Sequence, residues 1–560
     1  MEDLGLIIKR RLDEMIVERQ PYEDGLWKDI ARFVNPRREN ISSSSLTLPK
    51  GQRRGKDCYD GTPLAALLTW RDGMIGHSVS RALDWFRSTL ADPDLSRQDD
   101  VRGWLQKYDM SLYSAIRRSN FYDVLPEWFA DAGSIGTATI FTEEDIETKT
   151  AVHECVHPRE IYISEDKFSR VDTVYRQREF TARQALEKFK DDSLSDIIKT
   201  AAEKNPLQKF VFVHAVFPNT DKAYGKISTK NKKWRSVYVE MGSSFQVGNV
   251  KTNIVRDSGY DFNPYTVWRF RKNSDETYGY SPAADSIVEI FTLNQVGKDL
   301  LDASHLSVNP PLNVPMHLRN KVQWGPRGYN YFENSNDIVS AINPGFDYPV
   351  GKDQLDRLQR SLEDKYRVDY FRMLDRAERE MTATEIIERN SEKSILLTSQ
   401  VDVLSEGLRQ LLSIISYIED RAKRLPPDMP QSLAEYVGGI DIEFIGPLAQ
   451  AQKRLFEARP IISTLQEIGN AAQYMPQEKI QEMWDCVDID ITTETLLESG
   501  SFPQTCIIPK DKRDKARQLR AEAMARQQQL AEASAMAEAV PKLSKSIEKG
   551  SPAEMIANAV

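Results

Sequence analysis

The sequence contains few of the residues that build covalent or metal frameworks. Its 560 residues include four cysteines and six histidines, and no two cysteines form a C-x-x-C pair. Neither a disulfide framework nor a zinc knuckle is therefore predicted, and the few scattered cysteines fit assembly in a reducing cytoplasm. We predict no metal site and no cofactor.

The short motifs of the common enzyme classes are absent as well. No G-x-x-x-x-G-K-[ST] segment occurs, so the sequence does not predict an ATP-phosphate cradle. The G-x-S-x-G elbow of hydrolases and the G-x-G-x-x-G fingerprint of dinucleotide-binding folds are also missing. We predict a protein that is not an enzyme and has no catalytic residues, whose function depends on shape and assembly.

Long apolar runs and an excess of positive charge are lacking too. No stretch of about eighteen apolar residues occurs, and the segment MEDLGLIIKRRLDEM lacks an apolar core of signal-peptide length. We expect neither a membrane span nor export by that route. The net charge of −9 argues against wholesale coating of DNA or RNA, which depends on excess Lys and Arg, but it allows loose passage of a polyanion.

One segment matches a metalloprotease pattern. HECVH, from His153 to His157, has the H-E-x-x-H spacing that places two zinc ligands on one helix face. Pro158 disfavours helical angles at His157, and the flanking residues are typical of a strand. On a strand the two imidazoles would lie about 13 Å apart, at roughly 3.3 Å per residue, which is too far for one zinc ion. The zinc-protease interpretation is therefore disfavoured.

Hydrophobic periodicity predicts an α+β chain that is predominantly helical. Helical spacing over residues 1–34 and about 60–129 gives way to a period near two between Thr137 and Phe270. A short helix is expected within this β-rich part, around Ala182 to Lys190. Segments rich in Trp and Phe, such as ALDWFRSTL, are expected to fill the core.

Two further helices are predicted on either side of an insert rich in Pro, Gly and Asn. The first runs from about Ser286 to Val308, and the second from about Lys352 to about Arg372. After residue 509, alanine and basic residues give strong helix propensity with little apolar stripe to bury.

A marked helix start follows the second of these helices. In MTATEIIERN, Thr382 and Glu385 have the spacing of a capping box, and Met381 and Ile386 that of a hydrophobic staple. A cap contributes only about 1 kcal/mol, but that is enough to decide where a helix begins. The helix is expected to reach about Arg424 along an apolar seam of Leu397, Val401, Leu404, Leu408, Leu411, Ile415 and Ile418.

Several segments, in this order, resemble the portal proteins, or head-to-tail connectors, of short-tailed bacteriophages. They are WKDIARFVNPRR, DCYDGTPLAALLTWRDGM, DWFRSTL, SNFYDVLPEWFADAGSIGTATIF, MTATEIIER and FIGPLAQAQK. The likeness extends roughly from residue 20 to residue 500.

The resemblance implies the portal fold, with a β-rich wing, a helical stem, a small α/β clip, a helical crown and a possible C-terminal helical barrel. It divides the chain into 1–285 (N-terminal helices and wing), 286–308 (stem helix), 309–350 (clip), 351–372 (second stem helix), 373–381 (tunnel loop), 382–448 (long wing helix and returning strand), 449–510 (crown) and 511–560 (C-terminal helical tail).

The resemblance also implies a function. About twelve copies would form a ring at one capsid vertex. The ring would be the channel for packaging and ejection of double-stranded DNA and the docking platform for motor and tail. The expected partners are further copies of the chain, DNA, the terminase or packaging ATPase, tail adaptor proteins, and the major capsid and scaffolding proteins, with no membrane. The expected location is the virion, after assembly in the host cytoplasm.

Candidate site residues follow from the same resemblance. The tunnel loop would present Arg372, Asp375, Arg376, Glu378, Arg379 and Glu380 to DNA, and the helix cap of Met381, Thr382, Glu385 and Ile386 would end it. Clip docking residues would be Arg319, Lys321, Trp324 and Arg327. Because the loop's acids nearly offset its bases, we expect weak, salt-sensitive and sequence-independent DNA contact.

A different class of protein is the alternative. The long helical seam would also suit a coiled-coil structural or scaffolding protein without a DNA channel. That alternative predicts an elongated dimer or trimer rather than a closed ring.

Overall fold

The computed structural model describes most of the chain, in two compact units. The described residues are 4–41, 54–96, 98–189, 193–220, 228, 231–241, 253–316, 322, 323, 339–341, 348–372, 403–446, 450, 453, 457–474, 476, 479, 484–499, 508 and 510–544. The first unit comprises Met1–Thr89, Gln106–Asp428 and Ile440–Leu455. The second comprises Leu90–Leu105, Met429–Gly439 and Phe456–Val560.

Helices occur in both units. They are α1 (Leu4–Tyr22), α2 (Lys28–Phe33), α3 (Thr62–Ser78), α4 (Pro93–Ser96), α5 (Asp99–Arg118), α6 (Phe121–Ser134), α7 (Ala182–Lys188), α8 (Asp196–Lys204), α9 (Pro282–Asp285), α10 (Ile287–Val308), α11 (Tyr348–Lys365), α12 (Val368–Phe371), α13 (403–421), α14 (Gln431–Ala434), α15 (Arg459–Ala472), α16 (Ile489–Ser499) and α17 (Lys510–Ser544).

The strands belong to the first unit and pair antiparallel. They are β1 (Phe86–Thr89), β2 (Thr137–Glu144), β3 (Ala151–Val156), β4 (Ile161–Glu165), β5 (Val171–Thr181), β6 (Lys209–Pro218), β7 (Trp234–Met241), β8 (Asn253–Tyr260), β9 (Tyr265–Arg269), β10 (Leu312–Asn313), β11 (Ser340–Ala341) and β12 (Asp441–Phe444). The sheet orders are β4-β5-β6-β7-β8, β3-β2-β9, β1-β12 and β10-β11.

The five-stranded sheet is covered by helices on both faces. On β6, Val213 packs with Leu12 of α1, whereas its neighbour Phe212 packs with Phe189 and Ile198, beyond α7 and on α8. Successive side chains of a strand point to opposite faces, so these two clusters lie on opposite sides of the sheet. The predicted β-rich part and the predicted short helix at α7 are both confirmed, while α8 was not predicted.

Large aromatic side chains fill the helical core of the first unit. Trp70, Trp128 and Trp268 are fully buried. The ring of Trp85 stacks between Phe121 and Phe444, with centroid distances of 6.1 and 6.2 Å. The expectation that the Trp-rich and Phe-rich segments fill the core is confirmed.

The described part of the apolar seam of the long helix is buried within the chain. Its described members Leu404, Leu408, Leu411, Ile415 and Ile418 are each at most 1% exposed. The other two seam residues, Leu397 and Val401, lie outside the described part of the chain. The described seam is therefore core rather than a surface on which a second chain could pack.

The helix predicted to continue to about Arg372 is interrupted. Helix α11 ends at Lys365, Arg367 adopts the left-handed conformation with φ 54°, and the short α12 follows. Tyr366 and Val368, on either side of the break, are buried. The prediction of one uninterrupted helix is wrong because these tertiary contacts fix the chain direction at this point.

Candidate functional site

The most prominent candidate for a functional element is an antiparallel pair of helices, α10 and α11, which we call the hairpin. Glu289 of α10 accepts hydrogen bonds from Lys365 Nζ at 2.7 Å and Ser361 Oγ at 3.1 Å. Farther along, Leu300 packs on Gly351, where an added Cβ would lie 2.8 Å from Leu300 Cδ2. Contact positions rise along α10 and fall along α11, so the two helices run in opposite directions.

The two ends of the insert meet beyond this hairpin. Strands β10 and β11 pair through Leu312 with Ala341 and Asn313 with Ser340. The described ends of the 309–350 insert therefore lie side by side, and the insert leaves and rejoins the hairpin at one place.

The hairpin buries one face at its base, while its far part is exposed. Ile290 and Leu293 of α10 and Leu362 of α11 are each 1% exposed. Away from this base, apolar side chains are exposed to between 38% and 78%: Leu301, Leu306, Val308 and Val350. Within the described part of the chain these side chains stay partly or largely exposed, which makes this end of the hairpin a candidate interaction surface.

A short segment, residues 54–60, crosses the hairpin, and we call it the strap. The amide of Asn294 brackets its backbone, accepting from the Tyr59 N–H at 2.7 Å and donating to the Asp57 carbonyl at 3.0 Å. Asp60 accepts from Gln359 Nε2 at 2.8 Å and from the Thr62 N–H at 2.7 Å. One carboxylate therefore links α11 to the first turn of α3.

Helix α3 also holds the segment that leads toward the predicted tunnel loop. We call residues 366–372 the loop root. The ring of Phe371 occupies the space that a Cβ on Gly73 would fill. Arg372 Nη2 donates to Thr69 Oγ1 at 3.1 Å, and the His77 ring lies 5.5 Å from both Tyr370 and Phe371.

The other end of the loop root is fixed on α6. Tyr366 is buried, and its hydroxyl donates to the Gly133 carbonyl at 3.1 Å. Burial raises the pKa of Tyr366, so the hydroxyl stays protonated and remains a donor. The loop root is thus attached at both ends before the chain enters residues 373–402.

The FIGPLAQAQK segment contacts the same helix. Strand β12 pairs with β1, and the Ile445 N–H donates to the Trp85 carbonyl at 2.9 Å. A Cβ on Gly446 would lie 2.9 and 3.0 Å from the carbonyl oxygens of His77 and Ser78. Only glycine permits this close approach. Helix α3 is therefore in contact with three segments: the strap, the loop root and the segment that contains Gly446.

Of the predicted channel and docking residues, Arg372 alone falls within the described part of the chain. The others lie outside it: Asp375, Arg376, Glu378, Arg379 and Glu380 of the loop, Met381, Thr382, Glu385 and Ile386 of the cap, and Arg319, Lys321, Trp324 and Arg327 of the insert. Arg372 is half-buried against Thr69.

Sequence reasoning missed the residues that hold these elements in place. No sequence pattern around Asn294, Gln359 or Gly73 indicates their structural roles. Asp60 had one, because Asp followed by Gly-Thr-Pro is typical of a side chain that accepts from the backbone two residues later at a helix start.

The HECVH segment forms a strand. His153 belongs to β3, is buried, and lies 3.0 Å from Thr142 Oγ1 through Nδ1. Glu154 pairs with Arg176 and Arg178 at 2.8 Å each. Burial lowers the pKa of His153 to about 4, so the ring is neutral near pH 7. No group of three or more metal-binding side chains occurs among the described residues.

No helix within the described ranges is both long enough and apolar enough to cross a membrane.

Known phage proteins resemble the chain over nearly its whole length. Residues 7–508 match the family described as bacteriophage head to tail connecting protein. The portal protein of Salmonella phage epsilon15 is 28% identical over 554 residues, covering 96% of this chain and 94% of that protein. The probable portal protein of Bordetella phage BPP-1 is 26% identical over 539 residues, covering 95% and 93%.

Proposed function

The chain belongs to the bacteriophage head-to-tail connecting protein family, and from this premise we propose that about twelve copies form a ring at one capsid vertex. The ring is the channel through which double-stranded DNA is packaged and ejected. It is also the platform on which the packaging motor and the tail adaptor proteins dock.

The observation that carries this proposal is the exposed apolar surface of the hairpin. Leu301, Leu306, Val308 and Val350 remain exposed. Complete burial of such a side chain from full exposure contributes about 1.5–3 kcal/mol, and these partly exposed side chains would gain a share of it. A neighbouring copy that packs against this surface buries it, and head-to-tail contacts of this kind close into a ring when the rotation between copies allows it.

The attachment of the strap and the loop root to α3 is evidence for the proposed position of the channel. Both attach to α3, so each copy presents the hairpin and the entry to residues 373–381 from one fixed helix. We propose that residues 373–381 face the channel and that the 309–350 insert docks the motor and tail. The balanced charges of Arg372, Asp375, Arg376, Glu378, Arg379 and Glu380 favour weak, salt-sensitive contact with sliding DNA.

The chemistry of packaging is assigned to a separate protein. The sequence has no phosphate-binding loop motif, so ATP hydrolysis belongs to the motor that docks on the ring. The role proposed for this chain is that of a channel and a docking surface.

The coiled-coil alternative loses its main support. It requires the seam of α13 to be available to a second chain, but Leu404, Leu411 and Ile418 are already buried within their own chain. The apolar surface that is exposed lies on the hairpin instead.

Particle mass in solution tests the proposal. A ring is expected at about twelve times the 64.0 kDa mass of one chain. A species of only two or three copies, at every concentration and in the presence of scaffolding protein, contradicts the ring and supports the coiled-coil alternative.

A further inference from the structure

The last helix of the chain is held at its start by two ion pairs. Arg513 Nη2 lies 2.7 Å from Glu494 Oε1. Arg517 binds Asp490 through both of its terminal nitrogens at 2.6 Å. The basic residues are four apart on α17 and the acidic residues four apart on α16, in opposite order, so the two helices are antiparallel here.

These ion pairs neutralise two of the cations of α17, and four of the remaining ones lie between residues 512 and 526. Lys512, Lys515, Arg520 and Arg526 are exposed, and none of them pairs with an acidic side chain within the described residues. At about 100° per residue they fall within an arc of about 140°, which we call the cationic face. Lys515 and Arg526 lie nearly opposite the two arginines that hold α16.

Between residues 512 and 532 the helix has three acidic residues against six basic ones. At about 100° per residue, Asp514 and Glu532 point away from the cationic face, and Glu522 lies at its edge. The concentration of positive charge stands out in a chain whose net charge is −9. A local cluster of unpaired cations is the electrostatic footprint of a polyanion site.

We propose that the cationic face binds the phosphate backbone of double-stranded DNA without regard to sequence. From Lys512 to Arg526 the helix rises about 21 Å. At 3.4 Å per phosphate along one strand, this length matches about six base pairs. Flexible Lys and Arg side chains contact phosphates without reading bases, so the contact is sequence-independent.

A second copy of α17 fits this face poorly. Two such helices packed side by side in parallel through the cationic face would bring like charges together, which is destabilising. Leu519 and Leu530 lie on the same face, but one exposed leucine per eleven residues is too sparse for a hydrophobic seam. The face therefore fits a polyanion better than another copy. This inference rests on the proposed function, because that function brings DNA to the assembled protein.

The test measures DNA binding by the full chain as a function of salt. The probe is a short duplex of random sequence, and fluorescence anisotropy gives the observed binding constant at each salt concentration. The variant K512Q/K515Q/R520Q/R526Q removes the four cations and retains good helix formers, so circular dichroism should show unchanged helix content. The slope of log K against log salt is expected to become shallower by about 3–4 for each contacting α17.

A charge-matched control distinguishes the loss of the cationic face from the loss of any four positive charges. K107Q/R117Q/K167Q/K204Q removes four exposed cations elsewhere and should leave the slope nearly unchanged. D514N/E522Q, which removes acids from α17, should tighten binding. The proposal is overturned if the α17 variant keeps the wild-type slope, if the control loses as much, or if the wild type does not bind the duplex at low salt.

Ring formation is scored by electron microscopy on the same samples. Rings that bind DNA with a slope indifferent to the α17 changes overturn this inference and leave the proposed function intact. If no rings form but the α17 changes still make the slope shallower, the proposed ring is contradicted and the DNA-binding inference is supported.

Discussion

The ring of Phe371 rests on Gly73, in the space that any larger residue at position 73 would occupy. This contact seats the loop root on α3, directly before the segment proposed to face DNA. A substitution at position 73 should therefore affect both the stability of the fold and the placement of the loop root.

Substituting Gly73 by Ala should displace Phe371. Overpacking of this kind typically costs about 1–3 kcal/mol, so G73A should lower the free energy of unfolding and shift the loop root. Urea unfolding measures the first effect, and DNA-filled particle yield measures the second. G76A in the same helix is the matched control. Nothing lies within 4 Å of its new methyl group, so it should be neutral or stabilising by about 0.5–1 kcal/mol. If G73A and G76A have the same unfolding free energy and the same particle yield, the contact between Phe371 and Gly73 does not fix the loop root.

Substituting Arg367 by Gly should stabilise the protein. Arg367 holds φ 54°, a conformation that costs a non-glycine residue about 1–2 kcal/mol. Glycine removes this cost but adds backbone entropy to the unfolded chain, so the net gain should be below about 1 kcal/mol. R360G, at an exposed position inside α11, should instead lose about 1 kcal/mol. Thermal unfolding distinguishes the two signs, and a loss in R367G would show that the side chain matters more than the backbone.

Stability should fall as the pH drops below about 6.5, partly because of His153. Burial lowers its pKa from 6.5 to about 4, so between these values the unfolded chain binds a proton that the folded chain does not. The stability it contributes is complete above pH 6.5 and is lost toward pH 4, by up to about 3 kcal/mol. H153Q should flatten the dependence of unfolding free energy on pH in this window, whatever its effect at pH 7. An unchanged slope would mean that folding does not lower the pKa of His153.

Asp109 should make the protein less stable as the pH rises, which is the opposite of the effect of His153. Burial raises its pKa from 3.8 to about 6, although it accepts hydrogen bonds from the Ser88 N–H and Oγ. The folded chain therefore holds this proton more tightly than the unfolded chain, and the stability it contributes below pH 3.8 is lost as the pH rises to 6. Relative to wild type, D109N should be more favourable at pH 7 than at pH 4. The same unfolding series measures it, and a constant difference between the two proteins would contradict the raised pKa.

Polar substitutions on the exposed part of the hairpin should weaken the ring without unfolding the chain. L301Q/V308Q changes two side chains that are 45% and 78% exposed, so little packing within the chain is lost. Light scattering should report smaller species at concentrations where the wild type forms rings. L207Q/V437Q alters the same residue types at more exposed positions elsewhere, 77% and 97%, and should assemble normally. If both variants lose rings, or if neither does, the exposed part of the hairpin is not the contact between copies.

Much of the fold could be predicted from the sequence where one periodicity dominates. The strands β5 to β7 follow from short runs rich in β-branched and aromatic residues between turns, and the seam of α13 follows from a helical pattern that serves one buried face. The strand at HECVH was also predictable, because Pro158 opposes a helix at His157. The family resemblance could be recognised from short segments in order, and the family match from residue 7 to residue 508 confirms it.

The features that position the candidate site could not be predicted, because tertiary contacts create them. The break after α11 falls at Arg367, a residue with no intrinsic preference for the left-handed region, and it is imposed by the burial of Tyr366 and Val368. The recess at Gly73 depends on a side chain almost three hundred residues away in the chain. The role of Asn294 likewise depends on a strap that the sequence does not indicate.

The central claim is that copies of this chain pack side by side through their hairpins around a hollow axis. Electron microscopy of the purified full chain, averaged along the particle axis, tests it most directly. The account predicts annular views with a central opening wide enough for a DNA duplex and with α10 and α11 at the contacts between neighbouring copies. Solitary particles or rods in every orientation, with no annular view, would contradict it.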